Sequence, residues 1–376
     1  TTPAELDAIV GKLLKYELDA GGRGALDEAW RSRALLVADN GPGSGDPSEA
    51  AQFAAALAGV MGELSPDVAT TTVDLSQLPA ANLGPIANAQ IDTALTGGVS
   101  LSFYAGHGGA QVWSDKLIFG PGDIAAVADG STLPAFVVLG CLNAFFDAPN
   151  EASLSQIALS APDRGAIAFI ASTTVTAFAG DDMFAHDLAQ RIFGANVRRV
   201  GEAVTQAKQA MATSPGAEDV LRSVVLIGDP ATPLGIPKFP IADAGPSQKT
   251  DPWVPVALDG SRSSSPDGGQ LGYEWQIVAQ PAGGNGTLLH QETARPTFLA
   301  GTPGTYTLGL TVNDGQRRSV LGTVSVDVNP AAAPLACTQS PTSAGTQFTS
   351  TDALYLLIPL LAARSVRRTR KWRGGA

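Results

Sequence analysis

The sequence predicts two domains of different class, an α/β domain on a mostly parallel sheet followed by an all-β sandwich. Between residues 33 and 170, short apolar runs alternate with helical patterns, the signature of strands joined by crossover helices. After Pro237 to Asp243 the composition turns to Ser, Gly and Thr clusters, with period-two alternation and a turn signal about every ten residues. In the first region, Arg33 to Ala38, Thr70 to Leu75, Val99 to Tyr104, Phe136 to Leu139 and Ala166 to Ile170 read as strands. Ser48 to Leu64, Pro85 to Leu95, Leu154 to Ser160, Asp182 to Phe193 and Val200 to Met211 carry the helical period. In the second region, Val254 to Leu258, Leu271 to Val278, Arg295 to Leu299, Gly304 to Asn313 and Leu321 to Val328 read as short strands, with Trp275 as the expected core tryptophan.

Two segments concentrate the reactive side chains. Leu101-Ser-Phe-Tyr-Ala-Gly-His107-Gly-Gly and Phe136-Val-Val-Leu-Gly-Cys141 are apolar runs that each end in such a group. The chain has only three His and two Cys, so the pairing is drawn from a small pool. Buried parallel strands read as continuous apolar runs, and working residues of open α/β sheets sit just past their carboxyl ends. If the two strands are neighbours, His107 and Cys141 emerge side by side. A free thiol near neutral pH is only slightly ionised, so a thiolate nucleophile needs an imidazole to manage its proton. Gly106, Gly108 and Gly109 would let the loop turn tightly, and the amides of Gly108 and Cys141 would donate to an oxyanion. The bland reading is a buried thiol and an ordinary loop histidine.

An apolar block ending in His-Gly, then a second ending in Cys, resembles the caspase-like superfamily and, in detail, the gingipain family, peptidase family C25. The resemblance covers about Arg33 to Leu234, through Leu35-Leu-Val-Ala-Asp39-Asn40, Tyr104-Ala-Gly-His107-Gly, Trp113, Leu139-Gly-Cys141-Leu-Asn143-Ala-Phe145, Gly165-Ala-Ile-Ala-Phe-Ile-Ala-Ser172 and Leu226-Ile-Gly-Asp229-Pro230. It implies a caspase-like three-layer α/β/α fold, His107 as catalytic histidine and Cys141 as the nucleophile that forms a thioester. It also implies an upstream acid that orients the histidine, for which Asp39, Asp46 and Glu49 are candidates. Glu49 is preferred because it opens the apolar helix from Ala50 to Leu64, where an acid is equally expected to complement the helix N-terminus. Ala144 stands where many relatives carry Gly, which would narrow the cleft. The substrate pocket implied by the resemblance is lined by Ala105, Leu139 and Thr173 to Phe178, with Phe178 as an aromatic wall. That lining is apolar, and Asp181 and Asp182, the nearby acids, serve equally well as helix caps.

Other chemistries are less well supported. The turn Asn40-Gly-Pro-Gly-Ser-Gly-Asp46 lacks the phosphate-loop ending and the dinucleotide spacing. Oxygens of Asp39, Asn40 and Asp46 offer a candidate calcium site, and no cofactor is otherwise required. There is no CxxC or HExxH for zinc.

Residues 1–237 thus form the expected peptidase-like domain and 238–329 the sandwich. Ala244-Gly-Pro, Leu258-Asp-Gly-Ser, Leu271-Gly-Tyr-Glu-Trp275 and Gly304-Thr-Tyr-Thr-Leu-Gly-Leu-Thr-Val-Asn-Asp314-Gly resemble a PKD-type immunoglobulin-like module. Such a resemblance implies a spacer or a surface for a partner. Residues 330–352 read as a linker. Residues 353–376 carry an apolar run interrupted by Pro359 and six basic side chains, which resembles a bacterial C-terminal sorting signal attached to the membrane or cell envelope, with Cys337 nearby. The chain has a net charge of −11, and without that basic end the remainder is −17, which argues against a nucleic-acid partner. Acidic, nearly cysteine-free composition suits a secreted or surface-displayed bacterial protein that does without disulfides. Thr1 follows no leader, and the family's domain normally has a preceding subdomain, so the chain reads as a fragment or processed form. The expected activity is cysteine-type endopeptidase hydrolysis of protein or peptide substrates. A sorting transpeptidase and a non-catalytic surface protein on the same scaffold are the alternatives.

Overall fold

A computed structural model describes residues 2–20, 28–43, 45–126 and 132–330. Cys337, the basic end and all but the first residue of the linker lie outside the described residues. In chain order the first region holds α1 (Pro3–Ala20), β1 (Arg33–Ala38), α2 (Pro47–Gly62), β2 (Ala69–Asp74), α3 (Leu83–Thr96), β3 (Leu101–Ala105), α4 (Pro121–Ala126), β4 (Ala135–Leu139), α5 (Leu154–Ser160), β5 (Ala168–Ser172), α6 (Phe178–Ala189), α7 (Val200–Ala210), α8 (Glu218–Ser223) and β6 (Val224–Gly228).

The six strands form one sheet in the order β2-β1-β3-β4-β5-β6, parallel except for β6. Strands β3, β4 and β5 are buried along their whole length, which explains why they read as continuous apolar runs. Alternate side chains feed two cores. Ala34, Leu36, Phe103, Ala105, Val137 and Leu139 pack under α2, α6 and α7. Leu35, Val37, Tyr104, Phe136 and Val138 pack under α3, α4 and α5. The domain is therefore the three-layer α/β/α fold that the sequence predicts. The chain leaves β1 toward β2 and returns to the other side of β1 as β3, so the strand order reverses between β1 and β3. In open α/β sheets the crevice for ligands lies outside the carboxyl ends of the strands at such a reversal.

Helix α2 has clear local causes. Asp46 caps it by accepting the amides of Ser48 (2.8 Å) and Glu49 (3.3 Å), Pro47 begins it, and Ala50, Phe53, Ala56, Leu57 and Val60 form its buried stripe. Helix α6 starts at Phe178, ahead of the expected Asp182, and ends in a π turn at Gln190–Gly194. Helix α1 has no counterpart in the sequence reading, and its docking explains why. The polar-looking Lys12 is 2% exposed, and its ammonium donates to the carbonyls of Ala158 (3.0 Å), Leu159 (2.6 Å), Ala161 (3.1 Å) and Arg164 (2.9 Å). These are acceptors at and just beyond the C-terminal end of α5, where a cation is favoured. Burial pushes the Lys12 pKa down to about 8.

The second region holds β7 (Gln248–Thr250), β8 (Val256–Ala257), β9 (Gly272–Ala279), β10 (Thr287–Leu289), β11 (Thr297–Leu299), β12 (Gly304–Asn313) and β13 (Gly322–Val328). They make two sheets, β7-β13-β12-β9 and β10-β11-β8, around Trp275, Phe298, Tyr306, Leu308 and Leu310. Polar ties join this sandwich to the loop after α2: the guanidinium of Arg318 donates to Asp67 (Nη2–Oδ1 2.7 Å, Nε–Oδ1 3.0 Å), and the Ser65 hydroxyl donates to the Arg318 carbonyl at 2.8 Å. Replacing Lys12 by Met keeps most of the apolar stem and leaves the carbonyls around α5 without the ammonium. A destabilisation of about 2–4 kcal/mol is expected in thermal unfolding. An unchanged midpoint would show that water satisfies the end of α5 equally well.

Candidate active site

Asp39 follows β1, His107 stands two residues past β3 and Cys141 two residues past β4. Ala105 pairs with Leu139 in the β3–β4 register, so the histidine and the cysteine leave equivalent points on adjacent strands. Beyond the strands the two loops stay in contact. The Gly106 amide donates to the Leu139 carbonyl at 3.1 Å. A Cβ on Gly108 would lie 2.6 Å from the Cys141 carbonyl oxygen, and one on Gly106 would lie 2.3 Å from Asp39 Cβ. Neither glycine has a positive φ. They are required for room, and the loop turns back on itself at Gly109–Val112 without left-handed glycine backbone. Left-handed backbone occurs at Ser114 (φ 60°) and Leu117 (φ 54°) in the histidine loop and at Leu142, directly after the cysteine, at φ 65°. A leucine there is strained and held by its surroundings, with its own amide donating to Thr174 at 3.2 Å.

The Asp39 carboxylate, fully buried, organises the histidine loop. It accepts the amides of His107 (3.2 Å) and Asn40 (2.8 Å) and the hydroxyl of Ser114 (2.9 Å). The Lys116 ammonium lies 3.9 Å away and also donates to the Gly41 carbonyl. Tyr104 donates its hydroxyl to the His107 carbonyl at 2.5 Å. Burial and the Asp39 charge raise the Tyr104 phenol well above its ordinary range. Tyr104 stacks on Trp113 at 4.6 Å, and Trp113 closes the hairpin by bridging to Gly108 and Phe119. From the cysteine side, the buried Asn143 amide donates to the carbonyls of Gly109 and Val112. Asp39 thus holds the loop backbone, and Asn143 joins the two loops.

Glu49, in the first turn of α2, meets the imidazole directly: His107 Nε2 lies 2.8 Å from Glu49 Oε2. With Nε2–H donated to this carboxylate, the lone pair falls on Nδ1. Both side chains keep partial solvent access, 47% for His107 and 38% for Glu49. One helical turn on, Phe53 packs edge-on against the imidazole with centroids 5.7 Å apart and against Phe178 at 4.8 Å. Cys141 is a free, half-buried thiol. Among the described residues, the amides of Gly108 and Cys141 have no acceptor.

Several expectations are corrected by this geometry. Ala105 and Leu139 are 0% and 1% exposed, core residues beneath the site, whereas Phe178 reaches the surface in part and Val175 is exposed. The Ala144 methyl is buried in the core under α5, and its amide donates to Ser172, so it does not face the cleft. The calcium set is not assembled. Asp39 is satisfied by protein donors, Asp46 caps α2, and Asn40 Oδ1 alone has no partner. Among the described residues no group of three or more His, Cys, Asp or Glu is arranged to hold a metal. Phe53 and the loop-binding role of Asp39 were missed in the sequence. For Phe53 the available signal was its i+4 spacing from Glu49.

Asp181 is not a helix cap. It sits buried in the first turn of α6 and accepts the Thr176 hydroxyl at 2.7 Å, pinning the loop that follows β5. Burial pushes its pKa up to about 7. The folded state therefore takes up a proton between the ordinary value near 4 and 7, and this stabilisation is lost as pH rises through 7. Asp181→Asn, which keeps the acceptor without the charge, should stabilise the protein at pH 8 by on the order of 2 kcal/mol and have a much smaller effect at pH 4.5. An equal change in thermal midpoint at both pH values would contradict the assignment.

The comparisons with known proteins agree with this architecture. The structure resembles the Arg-specific cysteine proteinase gingipain R at TM-score 0.50 and 16% identity, over 87% of this chain and 73% of that one. It resembles the complex of Porphyromonas gingivalis RgpB pro- and mature domains at TM-score 0.49 and 16% identity, over 88% and 75%. The sandwich is similar to the PKD domain of human KIAA0319, at TM-score 0.22 and 23% identity over 26% of this chain and 88% of that one. No curated protein matches the sequence. A PKD-domain family model matches residues 244–328. The model of peptidase family C25 matches residues 1–235, well over half of the chain, and the chain belongs to that family.

Proposed function

We propose that the protein is a cysteine endopeptidase in which Cys141 attacks the peptide carbonyl and His107 manages the proton. The observation that carries this reading is the pairing of equivalent strand ends, which brings a free thiol and an imidazole held by Glu49 to one sheet edge. In this mechanism Nδ1 of His107 takes the thiol proton as sulfur adds to the carbonyl carbon. The oxyanion receives the free amides of Gly108 and Cys141, and the proton then passes to the leaving amine. Water hydrolyses the thioester through the same steps. Glu49 acts on the histidine, fixing its tautomer and stabilising the imidazolium.

Protein or peptide substrates follow from the peptidase family. The acidic, cysteine-poor composition supports action outside the cell, and the PKD module supports a spacer or partner-binding role. None of the described helices is long and apolar enough to cross a membrane. Envelope attachment would rest on residues 353–376.

The direct test is digestion of a mixed peptide library by the purified chain beside Cys141→Ala, read by mass spectrometry. Cysteine-dependent cleavage is expected, and identical product patterns from both proteins would overturn the reading. Products joined to an added amine would instead identify acyl transfer. Glu49→Gln is expected to lower kcat roughly 10- to 100-fold with a smaller change in KM, since it perturbs the histidine and leaves the substrate site intact. Full activity in that variant would remove Glu49 from the mechanism.

A further inference from the structure

We infer that the site accepts only a small side chain, such as Gly, Ala or Ser, on the acyl side of the scissile bond, and that Phe53 sets this limit. The inference rests on the endopeptidase reading and concerns its substrate class. The His107 imidazole meets Glu49 and Phe53 of α2, and the side chains of Ala105 and Leu139, at the ends of the two strands, lie on the sheet face covered by α2 and α6. Helix α2 packs on β1 and β3, α6 packs on β4, and the two helices pack on each other. Their N-terminal ends therefore roof the space beside the two reactive side chains on that face. On this inference, the side chain on the acyl side of a carbonyl bound at Cys141 enters this space.

The protein itself fills that space. Phe53 is 4% exposed, with its ring edge-on to both the His107 imidazole (89°) and Phe178 (79°). Ala105 and Leu139 close the floor, and Leu57 and Val60 continue the Phe53 stripe along α2. A Leu, Phe, Arg or Lys side chain could enter only by parting Phe53 from both rings, and the ring against His107 also steadies the histidine. Of the nearby acids, Glu49 is held by His107 and the buried Asp181 accepts the Thr176 hydroxyl. A peptide with a hydrogen, methyl or hydroxymethyl group at this position needs no such displacement.

The test is the ratio of kcat/KM values for peptides that differ only at this residue, measured with the full chain, Phe53→Ala and Phe53→Leu. The full chain should cleave after Gly, Ala or Ser at least roughly 10-fold faster than after Leu, Phe, Arg or Lys. Phe53→Ala should move the Leu-to-Ala ratio upward by roughly 10-fold or more, with Phe53→Leu between the two. A merely structural role would lower all rates together and leave the ratio fixed. If Phe53→Ala does not fold, as judged by its thermal transition, Phe53→Leu carries the comparison. Cysteine-dependent cleavage after large or basic residues, or an unchanged ratio in a folded variant, overturns the inference alone. Absence of any Cys141-dependent cleavage overturns the peptidase reading and this inference with it.

Discussion

A buried carboxylate at the end of β1 underlies the arrangement of the site. Asp39 is removed from water at a cost that only close partners can offset, and here it has amide and hydroxyl donors and a nearby ammonium. Its donors come largely from the loop after β3, so satisfying the charge and shaping the histidine loop are one event. The Tyr104–Trp113 stack and the hydroxyl on the His107 carbonyl then close the loop from below. Replacing the charge alone would leave several donors competing for weaker acceptors, with His107 the first residue to drift. Asp39 is thus a positioning group, while Glu49 contacts the imidazole.

A second constraint is steric. Parallel register delivers His107 and Cys141 to the same edge, but side chains at Gly106 and Gly108 would force the loops apart. The strained backbone of Leu142 and the Asn143 amide fix the cysteine loop in the remaining space. Helix α2 adds three roles along one short stretch: its Asp46 cap, the Glu49 partner of the histidine and the Phe53 packing. The loop after α2 carries Asp67, which receives Arg318 from the sandwich, so the same element is supported at both ends. The PKD module is in this sense part of the scaffold around the site as well as an appendage.

Much of this was legible in the sequence, for identifiable reasons. Fully buried parallel strands cannot hide their apolar runs, and β1, β3 and β4 were read within two residues of their ends. The His–Cys pair was legible because two reactive side chains stood at matching strand ends, whereas either alone reads as readily as a loop histidine or a buried thiol. What failed was information that pairwise sequence spacing does not contain. The acid on His107 could have been any of three carboxylates until α2 was placed, and Ala105 and Leu139 are core residues because α2 and α6 cover the ends of their strands. Helix α1 was invisible because its key residue, Lys12, is a charged side chain satisfied by carbonyls almost 150 positions away. The proposed calcium ligands dissolved once Asp39 and Asp46 were seen to serve the protein's own amides.

The central claim is that His107 activates Cys141. It is tested most directly by following covalent capture of the full chain by a peptidyl chloromethyl ketone bearing Ala next to the ketone, using peptide mass spectrometry. The account predicts a single fast adduct on Cys141, with Cys337 as an internal reference, and a rate at least roughly 100-fold lower in His107→Ala. Equal labelling of Cys141 in both proteins, or labelling no faster than at Cys337, would contradict it.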